Sequence, residues 1–297
     1  AASASQVAVP QLLAARALDR RRLARGLRAL AASRPDARSL EAFDRWLERH
    51  GQSAAAVERF WNVVLVSALS ETLDRIDVGH ARKVFVAAFL ANREGCKVRI
   101  PTVPLDELYG GRNTGWLQTR GAEIRLQAGV ERLSVDEGRV SRVELRNGQT
   151  LAADEFILAV PHDRVLSLLP AGLAEDPQLS AVGRLESAPI SSAHLWFDRP
   201  VTSLPHAVLV SRLGQWLFNR TQLQGPHGAR SGESTPRGDR ESRYYYQVVV
   251  SASRPLRELS SDETIARIVA ELKAIWPEAA SARLVHSRLV TEHKAVF

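Results

Sequence analysis

Eight histidines, one cysteine and a cluster of glycines are the residues of this 297-residue chain with the most chemistry to offer, and their spacing excludes more than it proposes. The histidines stand at positions 50, 80, 162, 194, 206, 227, 286 and 293, none has a neighbour at ligand spacing, and H-E-x-x-H is absent, so no metal site is expected. Cys96 is alone, which rules out an internal disulfide and a cysteine-based zinc site. There is no G-x-S-x-G nucleophile elbow and no G-x-x-x-x-G-K-[ST] phosphate loop. Gly110, Gly111 and Gly115 have neither the spacing of G-x-G-x-x-G nor a strand before them.

Charge narrows the partners. The formal net charge is +7, with one local cluster at Arg16, Arg20, Arg21, Arg22, Arg25 and Arg28. No aromatic residues are interleaved with it for base stacking, so nucleic acid is not expected. The same residues read as a helix packing its leucines inward with a solvated arginine face, or as a helix lying on anionic lipid. No run of about 18 apolar residues could span a bilayer, and Ala1–Pro10 lacks the plan of a signal peptide. The expected location is cytoplasmic, with peripheral contact to an inner membrane as an option. The chain has no methionine, even at position 1, which predicts that it is the interior of a longer reading frame.

The elements that must position any site follow from periodicity. Residues 11–32 carry Leu23, Leu27 and Leu30 at helical steps, and 39–50 and 53–73 follow as helices with Ser39 and Ser53 as N-caps and Gly51 between them. The second of these is apolar nearly all round, so Phe60, Trp61, Val64, Leu65, Ala68 and Leu69 are expected to be buried or to line an apolar pocket. Another helix ends near Gly95. Pro101 and Pro104 interrupt helix, and the glycines at 110, 111 and 115 predict tight turns at a crossing between domains. Beyond it the period becomes two. Ile124, Leu126, Val130, Leu133 and Val135, then Val140, Val143 and Leu145, predict a meander turning at Glu137-Gly138 and at a type I′ Asn147-Gly148. Phe156, Ile157, Leu158, Ala159 and Val160 are a continuous apolar run of the kind that fills a parallel sheet, and 155–160 is expected as an interior strand of one. Strands near 191–197, 206–211, 215–219 and 244–252 predict a second, antiparallel sheet. A Gly-, Pro- and Ser-rich stretch at 224–243 reads as a mobile surface loop. A helix from Ser261 to Trp276, capped by Ser261, precedes a last strand at 283–290. The residues alone lead to a two-domain α/β protein.

The segment FWNVVLVSALSETLDRIDVGHARKVFVAAFLANREGCKVRIPTVPLDELYGG resembles the middle of the squalene-associated FAD-dependent desaturases, the hydroxysqualene dehydroxylases, within the flavin amine oxidase and phytoene desaturase superfamily. Residues 120–170 are similar to that superfamily's return into its FAD domain, where a strand, a hairpin and a strand ending in Ala-x-Pro recur. Residues 188–297 look like its substrate-domain sheet. The resemblance runs from about residue 40 to the end. It is fairly specific to the dehydroxylases over 61–111 and to the superfamily alone over 120–161. The opening G-x-G-x-x-G and the closing glycine-aspartate motif are not in the 297 residues, so the chain by itself is not expected to retain flavin.

What the resemblance implies is an incomplete α/β fold of the FAD/NAD(P)-binding doubly wound type with a helical and antiparallel-sheet substrate domain. Its parts would be 1–110, helices of the substrate domain; 111–170, the returning segment of the FAD domain; and 171–297, the substrate-domain sheet and helices. The cofactor would be FAD, touched by Val130 through its main chain and by the turn Ala159, Val160, Pro161 and His162. Plain strand core for Val130 and a surface-loop role for His162 are the other readings of those positions. Trp61, Asn62, Leu65 and Leu69 would border the cavity for a hydrophobic isoprenoid, with Ser70 beside them and Lys294 in a family-like tail. The implied reaction is reductive removal of the allylic hydroxyl of hydroxysqualene to give squalene. A carotenoid desaturase or amine oxidase of the same superfamily, or a non-catalytic lipid-associated protein, are the alternatives, and no catalytic acid is identified.

Overall fold

A computed structural model of the protein describes residues 17–34, 41–95, 97–224 and 244–297. Arg16, Ser39, Cys96 and most of the expected loop at 224–243 lie outside the described residues. The chain divides into two compact units, one made of residues 1–108 and 188–296 and the other of 109–187 with Phe297.

The first unit contains a helical part and a five-stranded sheet, each with its own core. Helix α1 (Ala17–Ala32) buries Leu23 and Leu30 and leaves Arg20, Arg21, Arg25 and Arg28 exposed. It precedes α2 (Phe43–Arg49), α3 (54–69) and α4 (78–90). Ser53 caps α3 by accepting the Ala56 N–H at 3.2 Å. Both α3 and α4 contain a widened, π-type stretch, at Val57–Trp61 and Lys83–Leu90, whose buried residues are Trp61 and Phe85. Phe43, Trp46, Trp61 and Phe85 make that core, stacked or edge-on at centroid distances of 4.8–6.5 Å. Gln52 completes it by donating to the Arg22 carbonyl and accepting from the Trp61 indole N–H at 3.0 Å. Ser70 ends α3 in the left-handed conformation, with φ of 53°.

Residues 107–118 are helical, ending in α5 (Arg112–Gln118) of the second unit, where the glycines predicted tight turns. The chain bends there only at Gly110, whose ψ of −114° breaks the helical path. Strands β1 (Val130–Asp136), β2 (Arg139–Leu145) and β3 (Thr150–Ala152) form an antiparallel meander in that order. Ile124 and Leu126 precede it without joining it, since both are exposed and unpaired with any strand.

The two hairpin turns exchange the expected roles. Glu137 and Gly138 both have positive φ, 50° and 79°, so this pair is the type I′ turn. At Asn147-Gly148 only Gly148 is left-handed, at 83°; its N–H bonds to Leu145 O at 2.9 Å and the Leu145 N–H to Gln149 O at 2.8 Å, a type I turn followed by a bulge. The Asn147 side chain accepts the Gln149 N–H and stabilises that alternative.

The run 155–160 is not a strand. No described strand lies beside it, and without ladder partners its apolar residues have nothing to pack between, so Ile157 is 94% exposed. All strand pairs among the described residues are antiparallel. Helix α6 (His162–Leu168) begins directly after Pro161.

Back in the first unit, β4 (Ala188–Phe197), β5 (His206–Val208), β6 (Trp216–Asn219), β7 (Tyr244–Val250) and β8 (Leu284–Val296) form the antiparallel sheet in the order β5-β6-β7-β4-β8. This is the separate sheet expected for residues 191–218 and 244–252, with β8 extending six residues past the expected end at 290. One face buries Ala193, Leu195, Phe197, Leu217, Tyr246 and Val248 against Ile265, Ile268 and Leu272 of α7 (Ser261–Ile275). The cap of α7 is Ser260 rather than Ser261. Ser260 Oγ accepts the Glu263 N–H and the Glu263 carboxylate accepts the Ser260 N–H, the reciprocal pattern that only a Ser-x-x-Glu spacing allows.

Candidate active site

Strand alternation turns the residues not buried against α7 onto the sheet's other face, and register aligns them. Trp196 of β4 is flanked by Tyr245 of β7 and His286 of β8; His194 is flanked by Gln247 and Arg288; Ser192 by Val249 and Val290. Phe218 and Trp216 of β6 continue the second and third rows beside Gln247 and Val249, and His206 of β5 lies next to Phe218. The result is a half-buried floor of rings. Trp196 and Tyr245 stack at 4.7 Å with 7° between planes, Trp216 and Phe218 at 5.7 Å with 5°, and His286 lies 5.0 Å from Trp196.

Polar groups share this floor with the rings: Ser192, His194, Gln247, His286 and Arg288 stand among them. His194 Nδ1 and the Tyr245 hydroxyl are 2.6 Å apart, within strong hydrogen-bond distance, and their rings are nearly parallel at 5.9 Å. Gln247 donates to Ser192 Oγ at 2.8 Å. His206 is only 7% exposed, neither ring nitrogen has a hydrogen-bond partner among the described residues, and burial pushes its pKa below the ordinary histidine value.

The residues expected at the cofactor fall in the second unit. Val130 opens β1, an edge strand whose main-chain groups on the side away from β2 have no described strand to pair with. Gln127, Ala128, Gly129, Leu145, Arg146 and Asn147 border a half-open depression of about 450 Å³ beside it. A Cβ at Gly129 would lie 3.2 Å from Arg146 Cδ, so glycine keeps the chain close to that arginine. The open strand edge offers main-chain groups of the kind that contact a dinucleotide's adenine, while Arg146 at the rim of the depression is paired with Glu131 at 3.7 Å. Ala159 is exposed and Val160 half-buried in the unpaired run, and Pro161 starts α6. His162 is half-buried, 3.5 Å from Ser187 Oγ and 5.3 Å from the Phe297 ring.

The residues expected at the substrate do not share one surface. Trp61 and Leu65 have no exposed area and belong to the helical core, Leu69 is half-buried, and Asn62 is exposed. Ser70 is buried at the end of α3, and Lys294 sits within β8 rather than a tail. Among the described residues no group of histidines, cysteines and carboxylates is placed to hold a metal, and no helix is long and apolar enough to cross a membrane. His194, Tyr245 and Gln247 were not singled out by sequence. Their alternation in SSAHLWF and YYYQ is visible, but the 51-residue separation of His194 and Tyr245 hides their pairing.

Comparison with known proteins agrees with this architecture. The family described as flavin containing amine oxidoreductase matches residues 5–294. The 15-cis-phytoene desaturase of Arabidopsis thaliana is 23% identical over 253 residues, covering 84% of this chain and 42% of that protein. The 15-cis-phytoene desaturase of Synechococcus elongatus is 25% identical over 191 residues, 61% of this chain and 38% of its own length. An oxidoreductase from Methanosarcina mazei shares the fold with a TM-score of 0.71 at 14% identity, covering 97% of this chain and 64% of that one. A putrescine oxidase double mutant does so with 0.63 at 17%, covering 93% and 62%. The chain thus spans less than half the length of these two desaturases. With a family match across nearly its whole length, the chain belongs to the flavin-containing amine oxidoreductase family.

Proposed function

We propose that this chain is the substrate-binding part of an FAD-dependent oxidoreductase acting on a polyisoprenoid, and that its reaction is the reductive dehydroxylation of hydroxysqualene. The observation that carries the reading is the sheet face built from Trp196, Tyr245, Trp216 and Phe218, with the His194–Tyr245 pair set into it. Stacked rings provide apolar area for a long hydrocarbon at low entropic cost. The hydrogen-bonded pair gives that hydrocarbon's single oxygen a partner, which a substrate without polar groups would not need.

Val130 and the edge of β1, with Arg146 nearby, would hold the adenine end of FAD, and Ala159 to His162 would lie beneath it. When bound, the flavin supplies the hydride, and the chain's own residues bind, orient and protonate the substrate. The exposed arginines of α1 support peripheral contact with an anionic membrane, from which such a substrate would be drawn.

Desaturation of a phytoene-type carotenoid precursor is the second reading, favoured by the two curated relatives being 15-cis-phytoene desaturases. The test is a product analysis of the flavin-loaded protein that contains this chain, offered hydroxysqualene with a reductant, phytoene with an oxidant, and aliphatic amines. Squalene from the first alone is expected. A desaturated carotenoid precursor would establish the second reading, and amine oxidation would overturn both.

A further inference from the structure

We propose that Glu71 and Arg254 form a clasp between the helical part and the sheet of the first unit, and that these two halves open about the backbone at Ser70 and Ala252 when it is released. Such an opening is independent of which substrate the protein takes. The chain joins the halves only by way of the second unit, leaving the helical part at residue 108 and returning to the sheet at 188. Their cores are separate. Phe43, Trp46, Trp61 and Phe85 belong to one, Leu195, Tyr246, Val248 and Ile268 to the other, and no buried residue among those described is shared. Two bodies with their own cores and no direct linker depend on what meets at their junction. There Arg254 Nη1 donates to both oxygens of the Glu71 carboxylate, at 2.6 and 2.5 Å.

Each partner is anchored to its own half. Glu71 Oε1 accepts the Thr72 N–H at 2.9 Å and Oε2 lies 3.3 Å from Arg75 Nε, so the carboxylate is fixed to the helical part. Arg254 opens a 3₁₀ turn, Arg254–Glu258, whose Leu256 is buried in the sheet's core. Ser253 before it is tied to β4: its N–H donates to Pro189 O at 3.0 Å, and its Oγ accepts from Ser191 Oγ at 2.9 Å.

The backbone beside both partners is strained. Ser70, next to Glu71, has a φ of 53°, and Ala252, two residues before Arg254, has 50°; both are buried. A Cβ disfavours the left-handed region, and residues other than glycine stay there when surrounding contacts hold them. Release of the clasp removes one such contact from both places at once. Both residues can then relax toward ordinary backbone angles, and a φ change at two such positions is what a hinge requires.

Hydrogen exchange in the protein that contains this chain tests the clasp. Glu71→Gln keeps the shape of the side chain and removes its charge. It should speed exchange by about fivefold on both sides of the junction, at the amides of Ser70, Arg75 and Ile76 and at those of Ser253 and Leu256, by one common factor. The amides of the β4–β7 ladder and of α7 should stay within about twofold of the wild-type rate, because the sheet keeps its own core. Arg254→Gln removes the other partner and should reproduce the pattern, and the two substitutions combined should add little to either alone. Replacing Ser70 and Ala252 together by glycine, with the clasp intact, should slow exchange at the same junction amides, since the closed backbone is then free of left-handed strain. Equal acceleration of the junction, the ladder and α7 would make the pair a plain brace of the fold and overturn the hinge. Acceleration confined to one side, wild-type rates everywhere, or no slowing with the two glycines would overturn it as well.

Discussion

Arg254 donates to both carboxylate oxygens of Glu71, at 2.6 and 2.5 Å, across 183 residues of sequence, and so ties the end of the helical part to the sheet of the same unit. Burial alone would discourage ionisation of Glu71, but the Arg254 hydrogen bonds and charge, the Thr72 N–H and Arg75 together hold its carboxyl below the ordinary value of 4.5. A lowered acid contributes stability at neutral pH that is lost as pH falls through its folded value. Glu71→Gln is expected to cost about 1 kcal/mol at pH 7, because it removes the charge that draws Arg254 and Arg75 to this position. Urea unfolding at pH 7 and below pH 4 checks this, with the difference between wild type and variant shrinking at the lower pH.

His206 also loses stability on the acid side, but here substitution is expected to stabilise. Its ring is buried without hydrogen-bond partners among the described residues, and burial lowers its pKa below the ordinary 6.5. The unfolded chain then binds a proton at a pH where the folded chain does not, so stability falls as pH drops from about 6.5 toward the folded value. His206→Phe should remove that acid-side loss and stabilise the sheet by about 1 kcal/mol, since an unsatisfied buried polar group is replaced by an apolar ring. Thermal melts at pH 7.5 and 5.5 read both effects.

The hairpin between β2 and β3 depends on one backbone conformation. Gly148 has a φ of 83°, and Gly148→Ala should destabilise the second unit by about 1 kcal/mol through left-handed strain. Asn147→Gly should destabilise it by about 1 kcal/mol for a different reason, the loss of the side-chain acceptor of the Gln149 N–H. Hydrogen exchange of the β2–β3 amides reads both effects.

Much of this fold could be read from the residues. Alternation in HLW and YYYQ marked β4 and β7, and the apolar stripe at Ile265, Ile268 and Leu272 marked α7, because each is a local pattern that one face of one element imposes. What failed depended on neighbours. The 155–160 run has the composition of a buried parallel strand, yet composition does not supply the strands that must flank it. Asn147-Gly148 carries a hairpin signal that two turn types share, and the Asn147–Gln149 side-chain bond decides between them. Trp61 and Leu65 have the same apolar signature whether they wall a cavity or fill a core; the packing of Phe43, Trp46 and Phe85 around Trp61 places them in the core. His194 and Tyr245 acquire meaning only through strand register.

The arginine face of α1 can be tested separately. Leu23 and Leu30 are buried, so contact with lipid would be electrostatic and not an insertion of the apolar stripe. Replacing Arg21, Arg25 and Arg28 together by glutamine should reduce partition onto anionic vesicles by several kcal/mol at low salt, at about 1 kcal/mol per basic residue near the surface. High salt should weaken the unaltered protein to the same degree, while neutral vesicles should bind neither. Equal sedimentation of the unaltered protein with neutral and anionic vesicles would refute the contact.

Delivery of flavin electrons to the carbon that loses a hydroxyl is tested most directly by anaerobic titration of the fully reduced protein that contains this chain. Hydroxysqualene added stepwise should restore the absorbance of oxidised flavin, with one squalene formed for each flavin reoxidised. Flavin that stays reduced in the presence of saturating hydroxysqualene, or an oxidised flavin that is instead reduced by phytoene, would contradict it.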